Sequence, residues 1–129
     1  MPAALLDTHA FLWLAAGDTR MSAAATTFSR DVRNDLHLSA ASGWEIAIKH
    51  GLRRLRLSVP LRELLTDTLD QLSFQWLAVK LQHLVLVSTL PRHHNDPFDR
   101  LLVAQCTSEK LVLVSADGSL DAYGIPRIW

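Results

Sequence analysis

The run Leu111-Val112-Leu113-Val114-Ser115 constrains this chain more than any other stretch of it. It is continuously apolar between Lys110 and Asp117-Gly118, without the alternation expected of a strand that has one wet face. Such a run fits a parallel strand covered on both faces, and parallel strands are joined by helical crossovers rather than tight hairpins. The remaining sequence must therefore supply strands alternating with helices. With 129 residues, of which 49% are hydrophobic and 20% charged, it has the apolar material for such a core and is too apolar for intrinsic disorder.

The alternation is readable from the first residues. Ala3-Ala4-Leu5-Leu6 stops at Asp7-Thr8, and the helix formers of His9 to Ala16 run to Gly17, which reads as strand, turn and helix. Ser22 caps a predicted helix reaching about Asn34, with Ala24, Phe28 and Val32 on one face, and Leu36-His37-Leu38-Ser39 follows as a short strand. Ser42-Gly43-Trp44-Glu45 has the spacing of a capping box, which would place Glu45 in the first turn of a helix closed by Gly51. Pro60 suits a first helical position. The stripe Leu61, Leu64, Leu65, Leu69 and Leu72 that follows would face a core, a second copy or another partner.

Phe74 to Val79 reads as a strand, and Leu81, Leu84, Val85 and Ser88 keep helical spacing up to Pro91. The pentapeptide Leu-Val-Leu-Val-Ser thus occurs twice, at 84 and 111, with different predicted structures. Asp96-Pro97-Phe98-Asp99 opens the clearest helix: Asp96 is the cap, Pro97 the first residue, and Phe98, Leu101, Leu102 and Gln105 trace one face. A last strand falls at Arg127-Ile128. The pattern is that of an α/β protein with a parallel sheet.

In an open parallel sheet ligands collect outside the carboxyl ends of the strands. Asp7 ends the first predicted strand and Asp117 follows the strongest one, while Glu45 and Asp99 occupy the third position of helices that follow loops. Each has an ordinary explanation as a turn, capping or helix-dipole residue. Together they form a candidate cluster. Two carboxylates about 5 Å apart repel by roughly 3 kcal/mol at an effective dielectric near 20, so such a cluster needs positive charge. Hard divalent cations such as Mg²⁺ or Mn²⁺ suit carboxylate oxygens, and one or two of them can activate a water and stabilise a leaving oxygen in phosphodiester cleavage.

Lysine and arginine number 13 and so do aspartate and glutamate, so the molecule as a whole offers no field to steer a nucleic acid. Any nucleic acid must be held locally. Lys49, Arg53, Arg54, Arg56 and Arg62 form a basic stretch without acids, a candidate phosphate rail that also reads as a solvated face. Arg92, His93 and His94 could touch RNA or simply decorate the loop before Asp96. Cys106 is the single cysteine, which excludes an internal disulfide and a cysteine-built zinc site and fits a core thiol in a reducing cytoplasm. Trp13, Trp44, Trp76 and Trp129 read as core or interface anchors. No apolar run reaches the roughly 18 residues of a membrane span, and Met1 to Leu6 lacks the basic region of a leader, so a soluble, unexported protein is expected.

Leu5-Leu6-Asp7-Thr8-His9, Ser42 to Lys49, His93 to Gln105 and Ser115-Ala116-Asp117 together resemble the PIN-domain nucleases, and within them the VapC-type toxins. These stretches span nearly the whole chain in the family's order, and Asp96-Pro97-Phe98-Asp99-Arg100 is the most specific of them. The resemblance implies one domain over 1–129 with a three-layer α/β/α, PIN-like fold, its central, mostly parallel sheet flanked by helices. It also implies a Mg²⁺- or Mn²⁺-dependent endoribonuclease of cellular RNA, inhibited by a cognate antitoxin and expected to form a homodimer. Asp7, Glu45, Asp99 and Asp117 match the family's acidic quartet. Ser115 matches a hydroxyl that orients these acids, where threonine is more usual, and Thr8 is expected to help similarly. Asp96 is a cap one turn from Asp99 and ranks below the four. Two alternatives stay open: a Mg²⁺-dependent phosphatase or phosphotransfer domain, although the second aspartate that such sites require near Asp7 is missing, and a PIN-like binding module without catalysis.

Overall fold

In the computed structural model, which describes residues 2–129, the first strand β1 (Ala3–Leu6) pairs on both sides. Met1, part of the stretch read for a leader, lies outside the described residues. The chain continues through α1 (Thr8–Ala16), α2 (Ala23–Arg30), β2 (Asp35–Ser39) and α3 (Ala40–Gly51). A helical stretch follows, with α4 (Leu61–Glu63) passing through a π-helical segment (Leu64–Thr68) into α5 (Leu69–Gln71). After β3 (Gln75–Leu77) come α6 (Leu81–Thr89), α7 (Pro97–Glu109), β4 (Val112–Val114), a 3-10 turn (Gly118–Tyr123) and β5 (Arg127–Ile128).

The strands form one five-stranded sheet in the order β3-β2-β1-β4-β5, and every pairing in it is parallel. The sheet is thus parallel throughout, not only mostly so. Its two faces are covered separately, as the period of two along a strand requires. Ala4 and Leu6 of β1 pack with Ala10, Phe11 and Leu14 of α1, Ala25 of α2, and Leu64 and Leu69 of the π-containing stretch. Leu5, between them, packs on the opposite face with Leu113 of β4 and with Leu102, Val103 and Cys106 of α7. This is the expected three-layer α/β/α arrangement. Leu5, Leu6 and Leu113 are fully buried, and each stabilises the fold by about 1.5–3 kcal/mol relative to an exposed side chain.

Several local expectations are corrected. α2 ends at Arg30, not near Asn34, because Asp31 is extended and the Asn34 side-chain amide donates to the Phe28 carbonyl at 2.9 Å, which closes the helix end. Its inner face is Ala25, Phe28 and Ser29, whereas Ala24 and Val32 are exposed. Pro60 stands just before α4 instead of within it. Of the leucines from 61 to 72, Leu64 and Leu69 are buried in the core and Leu61, Leu65 and Leu72 pack against it, each partly exposed. Of the two Leu-Val-Leu-Val-Ser segments, the one at 84 lies in α6 with Leu84 53% and Val85 59% exposed, while the one at 111 carries β4 with Leu113 and Val114 at 0%. Among the described residues no helix is long and apolar enough to cross a membrane.

Candidate active site

β1 lies in the middle of the sheet, so the residues after it emerge between the carboxyl ends of β2 and β4. The Asp7 N–H donates to the Val114 carbonyl at 3.0 Å, extending the ladder by one residue, and its Oδ1 accepts the Ala10 N–H at 2.8 Å as the N-cap of α1. The capping role read from the sequence is real, and it anchors the carboxylate at this rim. Thr8 follows, and its hydroxyl donates to Glu45 Oε1 at 2.6 Å.

Glu45 comes from α3 by a route different from the expected one. β2 passes directly into the helix, with Ser39 as N-cap, its Oγ accepting the Ala41 N–H at 3.0 Å. Ser42 is therefore inside the helix, its hydroxyl is buried without a partner, and the Ser42–Glu45 capping box does not form. Glu45 sits in the second turn, not the first. Its Oε2 accepts from Lys49 Nζ at 2.6 Å, one turn further along, so this carboxylate at 5% exposure holds a cation and a hydroxyl. Lys49 is the neutralising partner of Glu45 before it is anything else.

The other acids arrive from α7 and from the end of β4. Asp96 Oδ1 accepts the N–H groups of Phe98 at 2.8 Å and Asp99 at 3.1 Å, with Pro97 at the first helical position. Asp96 is thus the cap, and Asp99 stands within the first turn of α7. Asp117 follows β4 and caps the 3-10 turn through Oδ1, which accepts the Ser119 N–H at 3.0 Å. The Ser115 hydroxyl accepts the Asp117 N–H at 3.0 Å.

From sequence His94 is a candidate RNA contact or a loop residue; in the structure its ring enters the cluster. Nε2 lies 2.9 Å from Asp117 Oδ2 and 3.8 Å from Asp99 Oδ2. One ligand atom each from His94, Asp99 and Asp117 lies within 4.8 Å of the others, the tightest such grouping of potential metal ligands among the described residues. The loop before Asp96 carried no sequence signal for this, because its course is fixed by Tyr123 and Arg100, which come from elsewhere.

Asp99 links the two groups of acids: Asp7 and Glu45 repel it, and it shares the His94 ring with Asp117. Burial pushes the Asp99 carboxyl up to about 7, reinforced by repulsion from Asp96, Asp7 and Glu45 and only partly relieved by His94. Burial likewise raises Asp7, against the Ser115 hydroxyl and the Ala10 N–H that favour its ionised form. Asp117 is held below the ordinary carboxylate range, first by the Ser119 hydroxyl and also by His94. Asp99 has no lysine or arginine at salt-bridge distance among the described residues. A hard divalent cation fits this donor set: it would meet the converging oxygens of Asp99 and Asp117 and relieve the repulsion that Asp99 bears.

Arg53, Arg54, Arg56 and Arg62 are exposed along the segment that leads from α3 into α4. Arg56 and His9 line a cavity of about 370 Å³ between α1 and residues 55–59. Trp44, beside Glu45, is 65% exposed, and its ring meets Phe98 edge-on at 5.6 Å. It is no core residue. Trp13 and Trp129 pack together at 5.7 Å.

A profile of the PIN domain matches residues 4–126, and the chain belongs to the PIN domain family. That membership sets aside the phosphotransfer alternative. No curated protein matches the chain by sequence. In fold it is similar to VapBC2 from Rickettsia felis bound to a DNA fragment from their promoter, with a TM-score of 0.70 and 10% identity over 97% of this chain and 96% of that one. It is also similar to FitAB bound to the IR36 DNA fragment, with a TM-score of 0.68 and 14% identity over 96% of this chain and 92% of that one.

Proposed function

We propose that this PIN domain is an endoribonuclease toxin that uses Mg²⁺ or Mn²⁺ to cut cellular RNA in the cytoplasm and is neutralised by a cognate antitoxin. One observation carries the reading: acids from four separate segments meet at the carboxyl edge of the sheet, and one of them, Asp99, is left without a cationic partner. Asp99 and Asp117 would hold the ion most directly, with Asp7 and Glu45 completing the shell directly or through water. When bound, the ion supplies Lewis acidity to the phosphate and a water of lowered pKa.

The chain's own residues do the rest. Thr8 and Lys49 fix both oxygens of Glu45, Ser115 steadies Asp7 and the backbone at Asp117, and Asp96 orients the first turn of α7. Arg53, Arg54 and Arg56, all exposed, would take backbone phosphates, with Lys49 as a further positive charge. The likeness to the VapBC2 and FitAB complexes supports a protein partner, in line with the VapC resemblance. For a homodimer, the exposed Trp44, Ile48 and Leu52 of α3 and its C-cap, with Leu81, Leu84 and Val85 of α6, offer apolar surface.

The deciding experiment incubates purified protein with total RNA in the presence and absence of Mn²⁺ and maps the cut ends. Cleavage that needs the ion and disappears in Asp7→Asn is the expected result. Cleavage that survives thorough chelation, or is unchanged in Asp7→Asn, would overturn the reading.

A further inference from the structure

The His94 ring enters the acid cluster, and its hydrogen bonds decide what it can do there. Its Nδ1 lies 3.1 Å from the backbone N of Asp96. A backbone N–H only donates, so Nδ1 must accept, and the ring proton is left on Nε2. Nε2 lies 2.9 Å from Asp117 Oδ2, and it therefore donates to that carboxylate. A metal-bound imidazole has the opposite arrangement: one nitrogen gives its lone pair to the ion and the other donates an N–H to an acceptor. Here the nitrogen away from the cluster already faces a donor.

The loop that presents the ring is clamped from outside the site. The His94 N–H donates to the Tyr123 hydroxyl at 3.1 Å, and Arg100 Nη1 donates to the same oxygen at 3.1 Å. Arg100, 7% exposed, spends its other bonds on carbonyls at the end of α6 and beyond it, those of Val87, Leu90 and Pro91. The last residue of the Asp-Pro-Phe-Asp-Arg segment thus ties α6, Tyr123 and the His94 loop together.

Asp117 needs such support, since its side chain is 38% exposed and follows the end of β4. Oδ1 is fixed by Ser119 and Oδ2 by His94, so the ring completes the restraint on this carboxylate.

We infer that His94 is a positioning residue that holds Asp117 through an Nε2–H hydrogen bond, its tautomer set by the Asp96 N–H, and that it is not itself a metal ligand. The part of this inference that concerns the ion rests on the proposed metal-dependent reading; the hydrogen bond does not.

Two measurements on the full chain test it. Long-range ¹H–¹⁵N NMR of the metal-free protein should show His94 protonated at Nε2, and a ring protonated at Nδ1 overturns the inference. Mn²⁺ titration should show His94→Ala weakening binding by about 10–100-fold, the usual effect of losing a residue that orients a ligand, while His94→Gln, which can still donate to Asp117, recovers most of it. Pulsed EPR of bound Mn²⁺ should show no directly coordinated nitrogen. A nitrogen coupling that vanishes in His94→Gln makes His94 a ligand and sinks the inference, as does unchanged affinity in His94→Ala. Wild-type protein that binds no Mn²⁺ defeats the metal reading alone, and the tautomer measurement still decides the hydrogen bond.

Discussion

The two halves of the acidic rim are built on opposite terms. Asp7 and Glu45 form an inner half, 7% and 5% exposed, in which Glu45 has Lys49 and Thr8 and Asp7 has the Ala10 N–H. Asp99 and Asp117 form an outer half, with side chains 25% and 38% exposed, whose shared neighbour is His94 rather than a lysine or arginine. Glu45 carries its own counter-charge in Lys49, whereas Asp99 has no lysine or arginine at salt-bridge distance among the described residues. That contrast marks where a cation should bind, beside a carboxyl that burial, with repulsion from Asp96, Asp7 and Glu45, lifts to about 7.

The strongest way to break the comparison is to remove a carboxylate charge. Asp99→Asn should lower RNA cleavage by about 10³-fold or more in single-turnover assays, because the ion loses a main oxygen donor. Asp7→Asn should do the same with the fold intact by circular dichroism, since asparagine caps a helix about as well as aspartate.

The pH dependence of metal binding comes next. With Asp99 at about 7, the group is increasingly protonated below that pH, and an ion must displace the proton. Mn²⁺ affinity should therefore fall by up to about tenfold per pH unit below about 7, with close to one proton released on binding in calorimetry run in two buffers. Affinity that stays flat between about pH 5 and 7 would mean that Asp99 does not hold the ion.

A stability measurement sharpens the same contrast. The folded-state pKa of Asp99 lies above its ordinary value of 3.8, so the folded state binds more protons than the unfolded one between about 4 and 7, and stability from this group is lost as pH rises through that window. Metal-free Asp99→Asn should accordingly be the more stable protein at pH 8, by about 1–3 kcal/mol, with the advantage vanishing toward pH 4 in thermal melts. In the inner half the sign reverses. Lys49→Met strips Glu45 of its counter-charge and should cost about 1–2 kcal/mol, a value discounted because Lys49 is 39% exposed.

The smallest effect belongs to the basic edge. Single alanine substitutions at Arg53, Arg54 or Arg56 should weaken RNA binding by a few-fold and lower the salt slope by roughly 0.7 per lost phosphate contact in filter-binding assays. No change in slope would return these arginines to the role of a solvated face.

How much of this was legible depended on whether a signal was local. β4 and β1 were readable because strands buried on both faces appear as unbroken apolar runs, and α7 because Asp96-Pro97 states both cap and first residue. The cap of α3 was misassigned because Ser39 and Ser42 both suit that role, and only the length of β2 decides between them. The end of α2 depended on the Asn34 side chain folding back onto Phe28. His94 was the hardest to see, since its place among the acids is set by Tyr123 and Arg100, and nothing within a few residues of it predicts that clamp.

The register of β1 carries one further consequence. It pairs with β2 at Ala4↔Leu36 and with β4 at Ala4↔Val112, so the middle of the sheet waits for a segment made long after β1 and β2. Ser115 and Asp117 come later still. A chain still emerging from the ribosome therefore holds three of its acids without the strand that brings the fourth beside them.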